Sequence, residues 1–176
     1  DIALSAKRIV FGKFLNCGQT CVAPDYILCD ERIKNELLHH IHAQITAQFG
    51  EDPLQNPNYG RIINRKHFDR ICALGESPRC NPETLQIAPT VLEDATWDCP
   101  AMAEEIFGPV LPVLTYREPE EIIRLLGSIA NNVNQIARRV NAGGNVYKED
   151  LEEINANLDQ NYKMLRKVMK SLSKIH

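Results

Sequence analysis

Cys17 and Cys21 stand four residues apart in the run Asn16-Cys17-Gly18-Gln19-Thr20-Cys21. A cysteine attacks as the thiolate, so a nucleophilic one needs solvent access and a helix end, cation or base close by. Cys21 falls where a helix-like run gives way to a strand-like one. It lies three residues after a glycine, which lets the backbone turn tightly and expose amide N–H groups. Amides so placed can stabilise a developing oxyanion. The residues alone leave three readings open: a nucleophile with a neighbour, a redox pair, or two small packing residues. His39, His40 and His42 raise the question of a metal. Only His39 and His42 share a helix face and no third ligand lies nearby, so a surface helix is expected and no metal site. Cys29, Cys72, Cys80, Cys99 and Trp97 have no local partners, which leaves packing or exposure.

The elements around these residues follow from periodicity. Residues 3–15 carry apolar side chains at helical spacing, and a short helix is expected there. Residues 21–30 are rich in Val, Ile and Tyr in a short, nearly continuous apolar run, as in a strand buried on both faces of a parallel sheet. In residues 31–49 the apolar positions Ile33, Leu37, Leu38, Ile41, Ile45 and Phe49 recur every three or four residues before Gly50, the pattern of an amphipathic helix. Residues 51–60 and 75–84 read as loops, 65–74 as a short helix, and 87–94 and 109–116 as strands. From Pro119 a helical stripe runs to Val140, Ala142-Gly143-Gly144 stops it, and a second helix spans about 148–174. The expected architecture is an α/β domain over 1–122 followed by an antiparallel helical hairpin over 123–176.

Charge divides the chain at the same place. Residues 1–123 hold 11 Lys/Arg and 18 Asp/Glu, net −7; residues 124–176 hold 9 and 5, net +4, and the sum is the formal −3 of the whole. A swing of that size suggests two units with different partners, the basic one suited to nucleic acid. No run is long and apolar enough to cross a membrane. The six cysteines are too sparse for a disulfide scaffold and match no zinc spacing, so reduced thiols in a cytoplasmic setting are expected. The opening Asp1-Ile2-Ala3-Leu4 reads as the interior of a longer unit.

Longer strings carry a resemblance. Phe14-Leu15-Asn16-Cys17-Gly18-Gln19-Thr20-Cys21-Val22-Ala23-Pro24-Asp25 resembles the cysteine signature of aldehyde dehydrogenases, closest to the fatty-aldehyde and class-three branch. A second family signature follows in Glu104-Glu105-Ile106-Phe107-Gly108-Pro109-Val110. Between them, Asn58-Tyr59-Gly60-Arg61-Ile62-Ile63-Asn64 with His67-Phe68, and Ile87-Ala88-Pro89-Thr90, resemble further segments of that branch. The likeness covers about residues 1–122. It implies a partial catalytic-domain sheet with flanking helices and Cys21 as the nucleophile on an aldehyde substrate. It also implies a Cys21 amide in the oxyanion hole, with Glu105 on the ribose and Phe107 against the ring of an NAD or NADP cofactor. Cys17 then stands where the branch usually has a small residue. The family's Glu-Leu-Gly-Gly-Lys general-base motif, its oxyanion Asn and its nucleotide-binding units have no counterpart here, nor does its C-terminal part, and 75–84 is shorter than the family pattern. By that resemblance the chain is expected to be inactive alone.

Residues 129–144, with Val146-Tyr147-Lys148-Glu149-Asp150-Leu151-Glu152-Glu153-Ile154, resemble instead plasmid mobilisation relaxosome proteins of the MobC type. The resemblance implies a DNA-associated accessory module whose partners are DNA or a relaxase, although the family's DNA-reading N-terminal part has no counterpart. Arg138, Arg139, Lys163, Arg166, Lys167 and Lys170 could reach phosphates, or could form a solvated basic face. A helical hairpin could equally pair with a second copy into a homo-oligomeric bundle. The chain as a whole reads as a chimera joined near residues 118–127.

Overall fold

The computed structural model describes residues 1–74 and 78–122. Two compact units divide at Tyr116 and Arg117. Of the second unit only 117–122 are described, where the Glu121 carboxylate accepts from the Glu118 amide at 3.1 Å. The expected helical hairpin lies outside the described residues, as do Arg138, Arg139, Lys163, Arg166, Lys167 and Lys170.

The first unit begins with helix α1, Ile2–Phe14, whose N-terminus is capped by the Asp1 carboxylate accepting from the Leu4 amide at 3.0 Å. Its buried positions are Ala6, Val10, Lys13 and Phe14, one face at three- and four-residue spacing. Helix α2, Lys34–Phe49, buries Leu37, Leu38, Ile41 and Ile45, and it ends at Gly50, whose φ of 87° only glycine adopts freely. The two helices cover one side of the sheet. There α1 and α2 residues form one apolar cluster with Ile27, Cys29, Leu111 and Val113. On the other side Phe68 and Ile71 of helix α3 (Arg65–Cys72) join Cys17, Tyr59, Ile62, Ile87, Ala101, Ile106 and Val110 in a second cluster. Alternate residues of one strand thus feed opposite cores, as the pleat requires, and the architecture is α/β.

The sheet has the order β1-β5-β4, all parallel, with β1 Ile27–Asp30, β4 Thr90–Leu92 and β5 Val110–Tyr116. β5 pairs with β4 through Val110–Pro112 and with β1 through Val113–Tyr116. Pro112 cannot donate to a ladder, and it stands where the strand changes partners. A separate two-stranded hairpin joins β2, Cys80–Asn81, to β3, Gln86–Ile87.

Four expectations are corrected. The strand expected over 21–30 is confined to 27–30, because 20–23 close a turn (Ala23 amide to Thr20 carbonyl, 3.0 Å), Pro24 has no donor and the Asp25 side chain is engaged elsewhere. The strand expected over 87–94 is two. Ile87 pairs antiparallel with Cys80, Pro89 interrupts, and Thr90 starts a parallel pairing with β5. The loop expected over 75–84 contains β2. Ile33, placed on the buried stripe of α2, is 37% exposed, because 31–33 form a separate 3-10 turn capped by Asp30.

Candidate active site

The Cys21 loop is made by an abrupt reversal of backbone hand. After α1, Asn16, Cys17 and Gly18 take φ values of 51°, 54° and 73° in succession. A non-glycine residue in the left-handed region is unfavourable, so two in a row persist only where the surroundings fix them. Gln19 supplies part of that fixing. Its side-chain amide donates to the Arg61 carbonyl at 3.0 Å, and its carbonyl accepts from the Ile63 amide at 2.9 Å. Gly18 supplies more: an added Cβ would meet the Gly108 carbonyl, with the carbonyl carbon 2.6 Å away. The cysteine loop and the Glu104–Pro109 segment therefore interlock at two glycines.

The two cysteines have opposite environments. Cys21 is exposed on the turn and Cys17 is buried, 2% exposed, with both thiols free. Burial pushes the Cys17 thiol up, and its neighbours Tyr59 and Gly60 partly offset the rise. A Cβ on Gly60 would stand 2.9 Å from Cys17 Sγ. The Tyr59 hydroxyl donates to the Ile87 carbonyl at 2.8 Å and is itself pushed up by burial and by the thiol. Cys17 is thus a packed internal thiol, and the solvent-facing sulfur of the pair is Cys21.

Beneath the loop lies a buried lysine. Lys13 is 1% exposed, and its Nζ is 3.9 Å from Asp25 Oδ1. Burial pushes the ammonium down to about 8, while Asp25 and Glu105 pull it back towards its usual range. Asp25 Oδ1 also accepts from the Ile106 amide at 3.1 Å. From the other side Arg70 donates to the Ile106 carbonyl at 2.6 Å and to the Glu105 carbonyl at 3.2 Å, and pairs with Glu104 at 3.0 Å. The backbone of 104–106 is therefore clamped between Asp25 and Arg70. What remains free is its outer surface, where Glu105 is exposed and Phe107 is 39% exposed at φ 46°.

Phe107 lines an open depression of about 600 Å³ with Asn16, Gln19, Arg61, Ile63 and Leu85, among others; Cys21 is not in its wall. The structure thus ties the cysteine turn to the Glu105–Phe107 segment through Lys13, Asp25 and the paired glycines. An exposed carboxylate and an exposed ring are thus presented two residues apart on a backbone held from behind. Among the described residues no three potential ligands gather for a metal, and no helix is long and apolar enough to cross a membrane. His42 pairs instead with Glu93 at 2.7 Å, and His39 stacks edge-on with His40 at 5.6 Å. Trp97 stacks edge-on with Tyr26 at 5.8 Å.

Lys13, Asp25, Arg70 and Tyr59 were not legible from sequence as site residues. One signal existed for Lys13, because it occupies a core register of α1, in line with Ala6 and Val10. Nothing local marks Arg70, whose role depends on a contact 36 residues away.

Residues 1–136 match the family model described as the aldehyde dehydrogenase family, and residues 123–175 match that of the bacterial mobilisation protein MobC. The dimeric NADP-preferring aldehyde dehydrogenase of Bos taurus is 42% identical over 132 residues, covering 72% of this chain and 55% of that protein. Its Mus musculus counterpart is 43% identical over 132 residues, with 29% of that protein covered. The 4,4'-diaponeurosporen-aldehyde dehydrogenase of Staphylococcus aureus is 42% identical over 134 residues, again with 29% covered. A solved structure of the substrate-bound state of Staphylococcus aureus AldH superimposes with a TM-score of 0.69 at 39% identity, over 73% of this chain and 30% of that one. The chain thus spans between 29% and 55% of the length of these curated relatives. The second match supports a chimeric chain whose last part is similar to a mobilisation protein. A cysteine turn locked to a rigid Glu-Ile-Phe-Gly segment in this α/β frame, with a family match over residues 1–136, leads to one conclusion: the chain belongs to the aldehyde dehydrogenase family.

Proposed function

We propose that residues 1–122 are the cysteine-bearing part of a site that oxidises an aldehyde to a carboxylic acid, with Cys21 as nucleophile. The observation that carries this is the exposed Cys21, which follows the strained Asn16–Gly18 reversal in a loop bolted to the segment that presents Glu105 and Phe107. In this reading the Cys21 thiolate adds to the aldehyde carbonyl carbon and forms a thiohemiacetal. The Cys21 amide donates to the oxyanion. Glu105 would hold ribose hydroxyls of NAD or NADP and Phe107 would rest against the ring, and that cofactor, when bound, would supply the hydride acceptor for oxidation to the thioester level. Water then releases the acid, a step needing a general base that none of the motifs in this chain supplies.

The 176 residues by themselves therefore carry the nucleophile without completing the reaction. Iodoacetamide should alkylate Cys21 in the purified chain, and mixing it with aldehyde and either cofactor should give no reduced nicotinamide. Aldehyde-dependent NADH or NADPH formation that vanishes in Cys21→Ser would refute the inactivity. Failure of Cys21 to react while Cys80 does would refute its role. The free state of all six cysteines supports a cytoplasmic setting. The word "dimeric" in two relatives' names supports a homo-oligomer.

The match over 123–175 favours a second reading for that segment alone: an accessory module that meets DNA or a relaxase through Arg138, Arg139, Lys163, Arg166, Lys167 and Lys170. Filter binding should show weak retention of duplex DNA at low salt that disappears as salt rises. No retention at low salt would remove the nucleic-acid reading and leave self-association of that segment, which sedimentation reads directly.

A further inference from the structure

Both donors of the Gln19 side chain, and its oxygen, are bonded to backbone. The amide nitrogen donates to the Asn16 carbonyl at 3.2 Å and to the Arg61 carbonyl at 3.0 Å, and the oxygen accepts from the Ile63 amide at 2.9 Å. Asn16 returns the contact, its side-chain amide donating to the Gln19 carbonyl at 3.1 Å. The 61–63 segment is in turn held to the core. Ile62 is 1% exposed within the second cluster, and its amide donates to the Leu85 carbonyl at 2.8 Å. Gln19 thereby fixes the end of the Asn16–Gly18 reversal to a buried frame 42 residues further along the chain.

Only Thr20 separates Gln19 from Cys21. The Thr20 carbonyl accepts from the Ala23 amide at 3.0 Å. That carbonyl and the Cys21 N–H belong to one planar peptide and point in opposite directions, so holding the carbonyl inside the turn aims the N–H out of it. Among the described residues that N–H meets no backbone acceptor. The peptide is set between two anchors, the Gln19 frame before it and the Thr20–Ala23 turn after it.

We infer that Gln19 is the positioning residue of the nucleophile. By locking the cysteine loop to the 61–63 backbone, it keeps the Cys21 N–H aimed where an oxyanion forms as the Cys21 sulfur adds to a carbonyl carbon. This rests on Cys21 as the nucleophile. A donor misaimed by a loose turn loses its hold on charge that develops in the transition state. Displacement at a saturated carbon develops no oxyanion and is indifferent to that aim. The two reactions therefore separate aim from exposure.

The test compares two electrophiles on the full reduced chain. With para-nitrophenyl acetate the thiolate adds to the carbonyl carbon; the S–C bond forms, the C–O bond to the aryl group breaks, and para-nitrophenolate leaves. Iodoacetamide alkylates the same sulfur as iodide leaves. Peptide mapping gives both rates at Cys21 and at Cys80, an exposed thiol outside this frame. In Gln19→Met the ratio of acylation to alkylation at Cys21 should fall about tenfold or more, against about 10²–10³ for outright loss of an oxyanion donor, while the ratio at Cys80 holds. Gln19→Glu keeps an acceptor for the Ile63 amide and loses both donors, so it should show a smaller fall, and it is the variant read if Gln19→Met does not fold. An unchanged Cys21 ratio in a folded Gln19 variant would overturn the positioning role and leave the nucleophile in place. A Cys21 that neither reagent modifies would overturn the nucleophile itself, and this inference with it.

Discussion

Replacing Lys13 by Met should stabilise the first unit at neutral pH, and the gain should fade as pH rises. The ammonium sits in a 1% exposed position and titrates near 8, against 10.5 for an ordinary lysine. Because the folded pKa is depressed, the unfolded chain holds the proton more tightly, and stability rises with pH between the two values. A drop of that size is worth about 3 kcal/mol at 1.36 kcal/mol per pKa unit. Below about 8 the folded chain carries the whole penalty, and above about 10.5 it carries none. Methionine keeps the unbranched stem and has no charge to desolvate, and a packing mismatch of about 1 kcal/mol subtracts from the gain. The net expectation is about 2 kcal/mol in favour of Lys13→Met at neutral pH. Urea unfolding of both chains across the range, followed by Trp97 fluorescence and circular dichroism, gives the difference directly. Cysteines and tyrosines titrate in the same window, with Cys17, Cys29, Cys72, Tyr59 and Tyr116 all raised by burial. Their contribution is common to both chains and cancels. A stability difference that stays constant from neutral pH to 10.5 would show that the lysine is not held charged against burial.

Gly18→Ala places a Cβ against the Gly108 carbonyl at a φ of 73°, and it should cost more than about 3 kcal/mol, read as a fall in the urea midpoint. Tyr59→Phe leaves the buried Ile87 carbonyl without its 2.8 Å donor, and a loss of about 1–3 kcal/mol is expected, with Cys17 becoming open to alkylation at lower urea. Arg70→Lys keeps the charge but loses the fork that grips two carbonyls and Glu104. Limited proteolysis should cut faster between Glu104 and Phe107 in that variant, and an unchanged rate would place the clamp elsewhere.

Legibility followed the range of the interactions involved. The helices α1, α2 and α3 could be read because each repeats an apolar spacing over several turns within its own sequence. The strands around Pro24 and Pro89 were drawn too long, because an apolar run does not show where a partner stops. Cys21 stood out through a contiguous string. Lys13, Asp25 and Arg70 did not, since the clamp on Ile106 joins residues 36 and 81 positions apart, and only the folded chain brings them together. The left-handed Asn16 and Cys17 were equally hidden, because the sequence there offers glycine only at Gly18.

The partner change along β5 has a consequence for how this sheet comes apart. Among the described residues, no position of β5 is flanked on both sides: Val110 to Pro112 face β4 and Val113 to Tyr116 face β1. A cut across the sheet therefore meets two strands at any level, never three. The strand acts as a hinge pin shared by two short ladders, with Pro112 marking where one ends. Amide hydrogen exchange along Val110–Tyr116 should divide at Pro112 into two groups with separate rates, each set by the opening of its own ladder.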